Sequence, residues 1–392
     1  MQYRVNPKNG DQLSALGYGC MRFTRKGGVI DQEKAEREML YALERGVNYF
    51  DTAYTYPGNE VAVGKFLAKG YRNQLYLATK LPQYLAKTYA DFDKFFYEEL
   101  RRLQTDYIDY YLLHMLSDFG SWQRLVGLGI EKWIAEKKTS GEIRNIGFSY
   151  HGGAAGFIRI IDAFDFDFCQ IQFNYLDVHG QAGERGLRYA ASKGLPVIIM
   201  EPLRGGRLVQ DLPARAKTFW SNAQPKRSPA DWGLRWIWDY PEVTVILSGM
   251  NDVAQVEENI RVCNESLPGH LSDAERSLYD QATKIIREST KVACTACGYC
   301  MPCPAGVDIP TCFNALNVRQ SDGWFTGLRE YIMCTSLKPV PSNASKCIGC
   351  GRCEQHCPQG IEIRDMLKEV SRLLEGPAYK VFLAAAKKVA KF

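Results

Sequence analysis

The chain has 392 residues, 46% of them hydrophobic, which is too long for one ordinary domain and apolar enough to bury a large core. Its formal charge of +5 is local: Lys380, Lys387, Lys388 and Lys391 stand without an acid in the last stretch, so the remainder is nearly neutral and carries no nucleic-acid footprint. The opening MQYRVNPKNGDQL has neither a signal nor a transit pattern, and no apolar run reaches bilayer length, so the expectation is a cytoplasmic protein without an integral membrane segment.

Leu13 to Phe23 reads as a strand ending in a Gly-rich turn, and Asp31 to Arg45 as a helix with Asp31 as N-cap and Gly46 as C-cap. A short apolar run, Val47 to Phe50, delivers Asp51, and Tyr56 follows in a turn marked by Pro57-Gly58. Helix Glu60 to Lys69 closes at Gly70, strand Leu75 to Thr79 hands over to Lys80, and helix Tyr89 to Leu103 leads to strand Tyr107 to Leu113, with His114 directly after it. Trp122 to Lys138 reads as one helix, Ile143 to Phe148 as a strand ending at Ser149, Ala154 to Ala163 as a helix, and Phe168 to Phe173 as a strand holding Gln170. Helix Glu184 to Lys193 and strand Pro196 to Met200 follow. A long connection then runs from Leu203 to Arg227, a helix starts at Ser228, and Val243 to Leu247 is the last strand. Helices from Val253 and from Ser272 finish the unit.

Eight strands alternating with helices predict a (β/α)8 TIM barrel over residues 1–288. A doubly wound open sheet is the alternative, but no strand leads into the G-x-G-x-x-G turn such sheets use for dinucleotides. Taken singly, an Asp after a strand is commonly a turn residue, a Lys a solvated charge and a His a packed core residue. In a barrel, however, Asp51, Lys80, His114, Ser149 and Ser248 all fall on the face where catalytic loops converge.

Tyr56, Lys80, Asp51 and His114 together make a proton donor for an oxygen. A phenol with a pKa of about 10 is a weak acid near neutrality. A neighbouring ammonium favours the phenolate, a carboxylate keeps that ammonium charged, and an imidazole can hydrogen-bond the accepting oxygen. With these residues the chain resembles the aldo-keto reductase superfamily over about residues 1 to 265. The resemblance is carried by FDTAYTY with GNE behind it, LATK, DYYLLH, IGFS, EPLRGGRL and SGM with EEN, in the family's order. It implies NAD(P)H-dependent reduction of a small aldehyde or ketone, or oxidation of an alcohol, with Asp51, Tyr56, Lys80 and His114 as the tetrad and Tyr56 as general acid. Ser149 and Gln170 match the residues that hold the nicotinamide carboxamide. Met21, Arg22, Glu201, Pro202, Leu203, Gly206, Ser248, Gly249, Met250, Glu258 and Asn259 match other cofactor-binding positions.

Three departures stand out. Tyr150 follows Ser149 where the family usually has Asn, and Glu201 takes a position often filled by an aromatic. SGMNDVAQVEEN carries no Lys or Arg, whereas Asp252, Glu257 and Glu258 repel a 2′-phosphate, so NADH is expected to serve at least as well as NADPH. Phe23, Tyr54, Trp122, Phe219 and Trp220 are either pocket-lining or packing aromatics.

From Lys291 the composition changes. Thirteen cysteines in a cytoplasmic protein argue for metal over disulfides, and eight of them form two runs. Cys294, Cys297, Cys300 and Cys303 precede Pro304, and Cys347, Cys350, Cys353 and Cys357 precede Pro358; the second run has the C-x2-C-x2-C-x3-C-P spacing of [4Fe–4S] ferredoxins. Because the last Cys of such a run ligates the other cluster, the expected sets are Cys294, Cys297, Cys300 and Cys357, and Cys347, Cys350, Cys353 and Cys303. Structural zinc uses paired C-x2-C rather than this triple spacing. Cys20, Cys169, Cys263, Cys312 and Cys334 read as buried residues outside the runs.

Helical patterns around Thr311 to Val318, Trp324 to Met333 and Ile363 to Leu374 give residues 289–375 the look of a helical two-cluster ferredoxin module. Residues 376–392 read as a basic, solvated tail. The favoured reading is a reductase fused to a cluster module that is structural, sensing or wired to a redox partner such as a ferredoxin. The alternative is an electron-transfer subunit whose barrel serves as a docking or sensing domain.

Overall fold

The computed structural model describes residues 1–337 and 340–390. The chain divides into two compact units, one of residues 1–203 with 230–272 and one of residues 204–229 with 273–392. The sequence reading assigns residues 1–288 to the barrel; by their contacts the connection after the seventh strand and the helix Asp273–Ser289 group with the second unit.

In the first unit eight parallel strands close into a barrel: β1 (Leu16–Gly19), β2 (Tyr49–Asp51), β3 (Tyr76–Leu81), β4 (Ile108–Leu116), β5 (Ile143–Tyr150), β6 (Phe168–Gln172), β7 (Val197–Met200) and β8 (Val243–Ser248). Side chains alternate across a strand, so those two apart share a face. Tyr49, Ala78, Tyr110, Leu112, Phe168, Ile198, Val245 and Leu247 form one buried cluster that fills the barrel. Two residues further along their strands stand Asp51, Lys80, His114 and Gln170, and the same period that builds the packed interior therefore delivers a polar set to its C-terminal end. A Cβ at Gly147 would meet the Phe168 ring at 2.6 Å, so glycine on β5 makes room for that aromatic.

The opposite end is closed by a hairpin of Tyr3–Val5 with Gln12–Ser14, whose Leu13 joins the interior cluster. Tyr110 donates from its hydroxyl to Asp11 at 2.6 Å beneath it. The predicted first strand is thus two pieces, a hairpin arm and β1, followed by a single turn at Cys20–Arg22.

The helices follow the sequence closely, with one break. α1 (Gln32–Glu44) is capped by Asp31, whose side chain accepts from the Lys34 amide at 3.1 Å. α2 (Asn59–Phe66) ends in a wide turn through Gly70, at φ 99°. α3 (Tyr89–Leu103) matches its predicted bounds. The single helix expected from Trp122 to Lys138 is two, α4 (Phe119–Gly127) and α5 (Ile130–Thr139), because Gly129 turns left-handed at φ 89°.

The second unit is mainly helical. Its core joins Val307, Ile309, Phe313, Leu316, Leu328, Tyr331, Leu367, Val370 and Leu374 from helices Ile309–Asp322, Trp324–Tyr331 and Ile363–Leu374 and the loops between them. Trp220, from the connection Arg204–Pro229, packs its ring on Tyr279 at 5.5 Å. The expected solvated tail is a helix, Pro377–Ala390. The Tyr379 hydroxyl donates to Ser336 at 2.9 Å and accepts from Asn343 at 2.8 Å, and Phe382 meets Phe325 and Trp324 edge-on, so aromatic anchors decide what the lysine count obscured. Lys391 and Phe392 lie outside the described residues. No helix among the described residues is long and apolar enough to cross a membrane.

Candidate active site

Asp51 is the last residue of β2, Lys80 the penultimate residue of β3, and His114 lies within the C-terminal part of β4. The residues expected just beyond these strands are therefore in them: Asp51 and Lys80 are paired in the ladder, and His114 stands in the β4 register break between Leu113 and Leu116. Lys80 Nζ stands 2.5 Å from Asp51 Oδ1 and donates to the Thr52 carbonyl at 2.7 Å. Both side chains are buried. Tyr56, half-buried on the loop after β2, places its ring 5.5 Å from Lys80 Nζ, and its ring centroid is 6.1 Å from that of His114, at 84°. The four residues meet in one place.

Their electrostatics are set by burial and by one another. Burial opposes the Lys80 charge, but the Asp51 carboxylate and Tyr56 outweigh it, and Lys80 is held protonated above its ordinary range. Burial lifts Asp51, with Lys80 pulling against it. The His114 pKa is pushed well down by burial, then by the Lys80 charge and by His151, so its imidazole is neutral. The Cys20 thiol, buried near the pair, is raised chiefly by burial and then by Asp51, and is inert.

Around this centre several polar atoms are in place for a ligand. Gln170 Oε1 is buried and accepts no hydrogen bond among the described residues. Ser149, its register partner across the β5–β6 ladder, accepts from the Met115 amide at 2.8 Å, which leaves its hydroxyl proton to donate. Arg22 lays its aliphatic stem on Gly249, where a Cβ would meet it at 3.2 Å, and faces Glu201 at 4.0 Å. Its buried Nη2 makes no hydrogen bond among the described residues. Glu201 adopts φ 54°, a left-handed conformation rare outside glycine. Below them, Asn259 donates to Ser248 Oγ at 2.8 Å and Tyr18 donates to the Met250 carbonyl at 2.9 Å, pinning the turn after β8. The open acceptor at Gln170 suits the N–H of a carboxamide, and the open donor at Arg22 suits phosphate oxygens.

The remaining expected residues lie as follows. Leu203 packs its side chain where a Cβ on Gly233 would stand, and Gly206 opens the connection after β7 with a left-handed backbone at φ 96°. Met21 lies in the turn after β1, Pro202 is buried after β7, and Glu258 sits in helix Val253–Glu265. Trp122 is buried against Phe164 and Phe166, Tyr54 packs on Phe95, and Phe23 on Tyr18, all as packing residues.

In the second unit Cys294, Cys297, Cys300 and Cys357 line one cavity with Phe313 and Ile363. This gathers the first expected set, including the cysteine contributed from the far run. The start of that run is fixed by Asn317, which accepts from the Lys291 and Val292 amides at 2.9 and 2.8 Å and donates to the Val292 carbonyl at 2.7 Å. Of the other set, Cys303, Cys347 and Cys353 pack on the core and Cys350 is exposed, in a turn where Gly349 and Gly351 are left-handed.

A sequence model of the aldo/keto reductase family matches residues 15–270. The chain belongs to the aldo/keto reductase family. A 4Fe-4S dicluster domain matches residues 293–362. The L-galactose dehydrogenase of Arabidopsis thaliana is 27% identical over 301 residues, 68% of this chain and 89% of that protein. An aldo-keto reductase of Mycobacterium sp. (strain MCS) is 29% identical over 264 residues, 66% of this chain and 84% of its own. The solved holo form of aldo-keto reductase AKR11C1 from Bacillus halodurans aligns with a TM-score of 0.60 at 27% identity, covering 72% of this chain and 96% of its own.

This aldo/keto reductase also carries polar residues that the sequence reading passes over. His151, after β5, meets Gln181 Oε1 with its Nδ1 at 3.3 Å, and burial drops its pKa to about 4. Gln181 donates to Gln172, and Gln172 to Asp177, at 3.2 and 2.9 Å. Tyr84 tilts its ring toward His114 at 6.4 Å, where the sequence reading looks to other aromatics. Gln172, two residues beyond Gln170, is the one member of this network that strand period alone marks as rim-facing.

Proposed function

We propose that the barrel reduces a small aldehyde or ketone with NAD(P)H, or oxidises the corresponding alcohol, with Tyr56 as general acid. The observation that carries this is the buried Lys80–Asp51 pair at 2.5 Å beside the Tyr56 ring. A bound nicotinamide supplies the hydride. Lys80, kept cationic by Asp51, stabilises the phenolate that Tyr56 leaves behind, so its hydroxyl proton passes more readily to the substrate oxygen. His114, neutral at working pH, hydrogen-bonds that oxygen without competing for its charge. Gln170 Oε1 accepts from the carboxamide N–H and Ser149 donates to its carbonyl, which fixes the ring face. Arg22 takes a phosphate oxygen.

Asp252 caps helix Val253–Glu265 by accepting from the Ala254 amide at 2.9 Å, and Glu257 and Glu258 follow on the same helix. An extra 2′-phosphate meets carboxylates here, which favours NADH at least equally. Titration of both cofactors tests this; NADPH bound tenfold tighter or better refutes it.

In the second unit the dicluster domain holds two [4Fe–4S] clusters, one on Cys294, Cys297, Cys300 and Cys357 and one on Cys347, Cys350, Cys353 and Cys303. They exchange electrons with a one-electron carrier protein such as a ferredoxin, in the cytoplasm. Anaerobic protein is expected to be brown, with iron and sulfide near eight each per chain, as two cubanes require (about four of each per cluster). Cys357→Ser and Cys303→Ser should each lose about half of that, from different clusters.

Anaerobic turnover of a panel of aldehydes, ketones and 2-hydroxy acids with both nicotinamides, in wild type and Tyr56→Phe, tests the barrel's role. Tyr56→Phe is expected to lose on the order of a hundredfold or more in rate. Equal rates in the two proteins would remove Tyr56 from the chemistry.

A further inference from the structure

Beyond the pair Ser149 and Gln170 the barrel rim carries a second polar layer that the reaction proposed above does not use. Residues two apart on a strand share a face and stand ~7 Å apart along it. Gln172 is two residues beyond Gln170 on β6, on the face that Phe168 presents to the barrel interior, and His151 is two beyond Ser149 at the end of β5. The ladder still governs His151, because its amide donates to the Leu116 carbonyl of β4 at 2.8 Å. A Cβ on Gly152 would lie 1.7 Å from the Ser117 carbonyl oxygen, so the chain after β5 is pressed against the chain after β4. His114 stands on that same β4, and the amide of Met115 beside it donates to Ser149 Oγ. His151 is therefore one layer further out than His114, on the neighbouring strand.

The polarity of this layer is set from its charged end. A carboxylate oxygen only accepts, and Asp177 Oδ2 takes a hydrogen bond from Gln172 at 2.9 Å and from Asn174 at 3.0 Å. With its nitrogen so engaged, Gln172 turns Oε1 to Gln181, whose own nitrogen donates to it at 3.2 Å. Gln181 is then left with Oε1 facing His151 Nδ1, at 3.3 Å. That oxygen cannot donate, so Nδ1 carries the ring proton and Nε2 is a bare lone pair. Asn174 ties the network to the next strand by donating to the Glu201 carbonyl at 3.2 Å. Gln181 is held at φ 53°, a conformation that a residue other than glycine keeps only when its surroundings impose it. Burial keeps the imidazole neutral, with a pKa of about 4. Nε2 makes no hydrogen bond among the described residues, and the ring is half-buried rather than sealed. Three side chains are thus spent on fixing one imidazole whose remaining nitrogen is an open acceptor at the rim.

We propose that His151 Nε2 is the substrate-selecting acceptor of this site, taking a hydrogen bond from a hydroxyl on a carbon beside the reacting carbonyl, so that the substrate is a hydroxylated aldehyde or ketone. This rests on the reductase reading above. Tyr56 and His114 take the carbonyl oxygen, and a hydroxyl on the adjoining carbon meets the next layer out. Gln181 is a positioning residue and acts through the imidazole. A simple alkyl aldehyde leaves the acceptor desolvated and unpaired, and a site built to bond a hydroxyl rejects the analogue that lacks it. A 2-oxo acid brings a carboxylate, which sets lone pairs against a lone pair. His151 binds and selects; no proton leaves it.

The test is anaerobic turnover by full-length protein of three carbonyl compounds of one chain length, propanal, glyceraldehyde and pyruvate, with saturating NAD(P)H. Wild type is expected to favour glyceraldehyde over propanal in kcat/KM by about tenfold or more, with pyruvate last. In His151→Phe the glyceraldehyde-to-propanal ratio should fall about tenfold, whatever the absolute rates. His151→Gln, whose carbonyl reaches about as far as Nε2, should hold the ratio within about threefold of wild type. Gln181→Leu keeps the imidazole but frees its tautomer, and should lower the ratio about threefold, whereas a merely structural role would slow both substrates alike. Turnover without preference for glyceraldehyde, a preference for pyruvate, or a ratio unchanged in His151→Phe overturns this inference and leaves the reductase reading standing. No turnover of any of the three overturns that reading and this inference with it. If His151→Phe fails to fold, Gln181→Leu decides: a lowered ratio supports the acceptor, and an unchanged one overturns it.

Discussion

Removing Lys80 should convert the active-site pair into a pH-dependent weakness of the whole barrel. Asp51 is 4% and Lys80 1% exposed, and Asp51 Oδ2 has no hydrogen-bond partner among the described residues, so the carboxylate's charge rests on Lys80 alone. In Lys80→Met that charge is left buried and unpaired, a change that typically costs ~3–5 kcal/mol. The folded chain escapes by protonating Asp51, whose pKa burial already raises and whose one opposing cation is now gone. The sign follows from linkage: an acid whose folded pKa lies above its unfolded value of about 3.9 binds more protons when folded, so stability is fullest below that value. It is then lost at ~1.4 kcal/mol per pH unit as pH rises toward the folded pKa, amounting to ~4 kcal/mol by pH 7 if Asp51 stays neutral throughout. Urea unfolding under anaerobic conditions at pH 4.5, 6.0 and 7.5 measures this (~4 kcal/mol at most). Lys80→Met should weaken steadily across the series, and Asp51→Asn with Lys80→Met should recover most of the loss at pH 7.5 because no charge remains to bury. A Lys80→Met protein with a pH-independent midpoint, or a double variant no more stable than the single one, would refute the argument that Lys80 is there to hold a buried carboxylate.

Other expectations concern packing, ionisation and cofactor affinity. A Cβ at Gly64 would lie 2.1 Å from the Arg102 carbonyl oxygen, so Gly64→Ala must force α2 off α3 and should cost ~1–3 kcal/mol or more. Gly127→Ala, with nothing within 4 Å, should instead stabilise by ~0.5–1 kcal/mol, and paired thermal melts separate the two. Glu38, buried near Tyr18 and Asp252, is raised to about 7 mainly by burial, with Lys34 opposing. Its folded pKa exceeds the unfolded one, so stability should fall as pH rises from about 4.5 through 7. Glu38→Gln should flatten that part of the stability profile, and an unchanged slope would locate the dependence elsewhere. Gln170→Leu removes the waiting carboxamide acceptor and should weaken NAD(P)H binding about tenfold, the worth of roughly one net hydrogen bond, read by cofactor fluorescence.

The barrel was legible because its information is periodic. A two-residue alternation over short strands, with turn residues between, marks where each strand ends, and Asp51, Lys80 and His114 stand within three residues of those ends. What periodicity does not record is the partner across the ladder. Ser149 and Gln170 are brought side by side by β5–β6 register, and nothing local to either residue says so. The network of His151, Gln181, Gln172 and Asp177 is harder still, since it joins two loops whose lengths follow no repeat. The break between α4 and α5 shows the opposite failure: Gly127 and Gly129 were both in plain view, but a glycine inside an apolar helical pattern is ambiguous until its φ is known.

The cysteine runs were legible for a different reason, because spacing between ligands is nearly a statement of geometry. The pairing of Cys357 with the first run follows from the ferredoxin pattern, and the cavity that gathers Cys294, Cys297, Cys300 and Cys357 agrees with it. Domain boundaries have no such signature. The sequence changes character at Lys291, yet the second unit takes in Asp273–Ser289 and, from much earlier, Arg204–Pro229. Both segments look like ordinary barrel material in composition. Their allegiance is written in long-range contacts, such as Trp220 on Tyr279 and Arg204 on the Ala293 carbonyl, between residues too far apart for any window to compare.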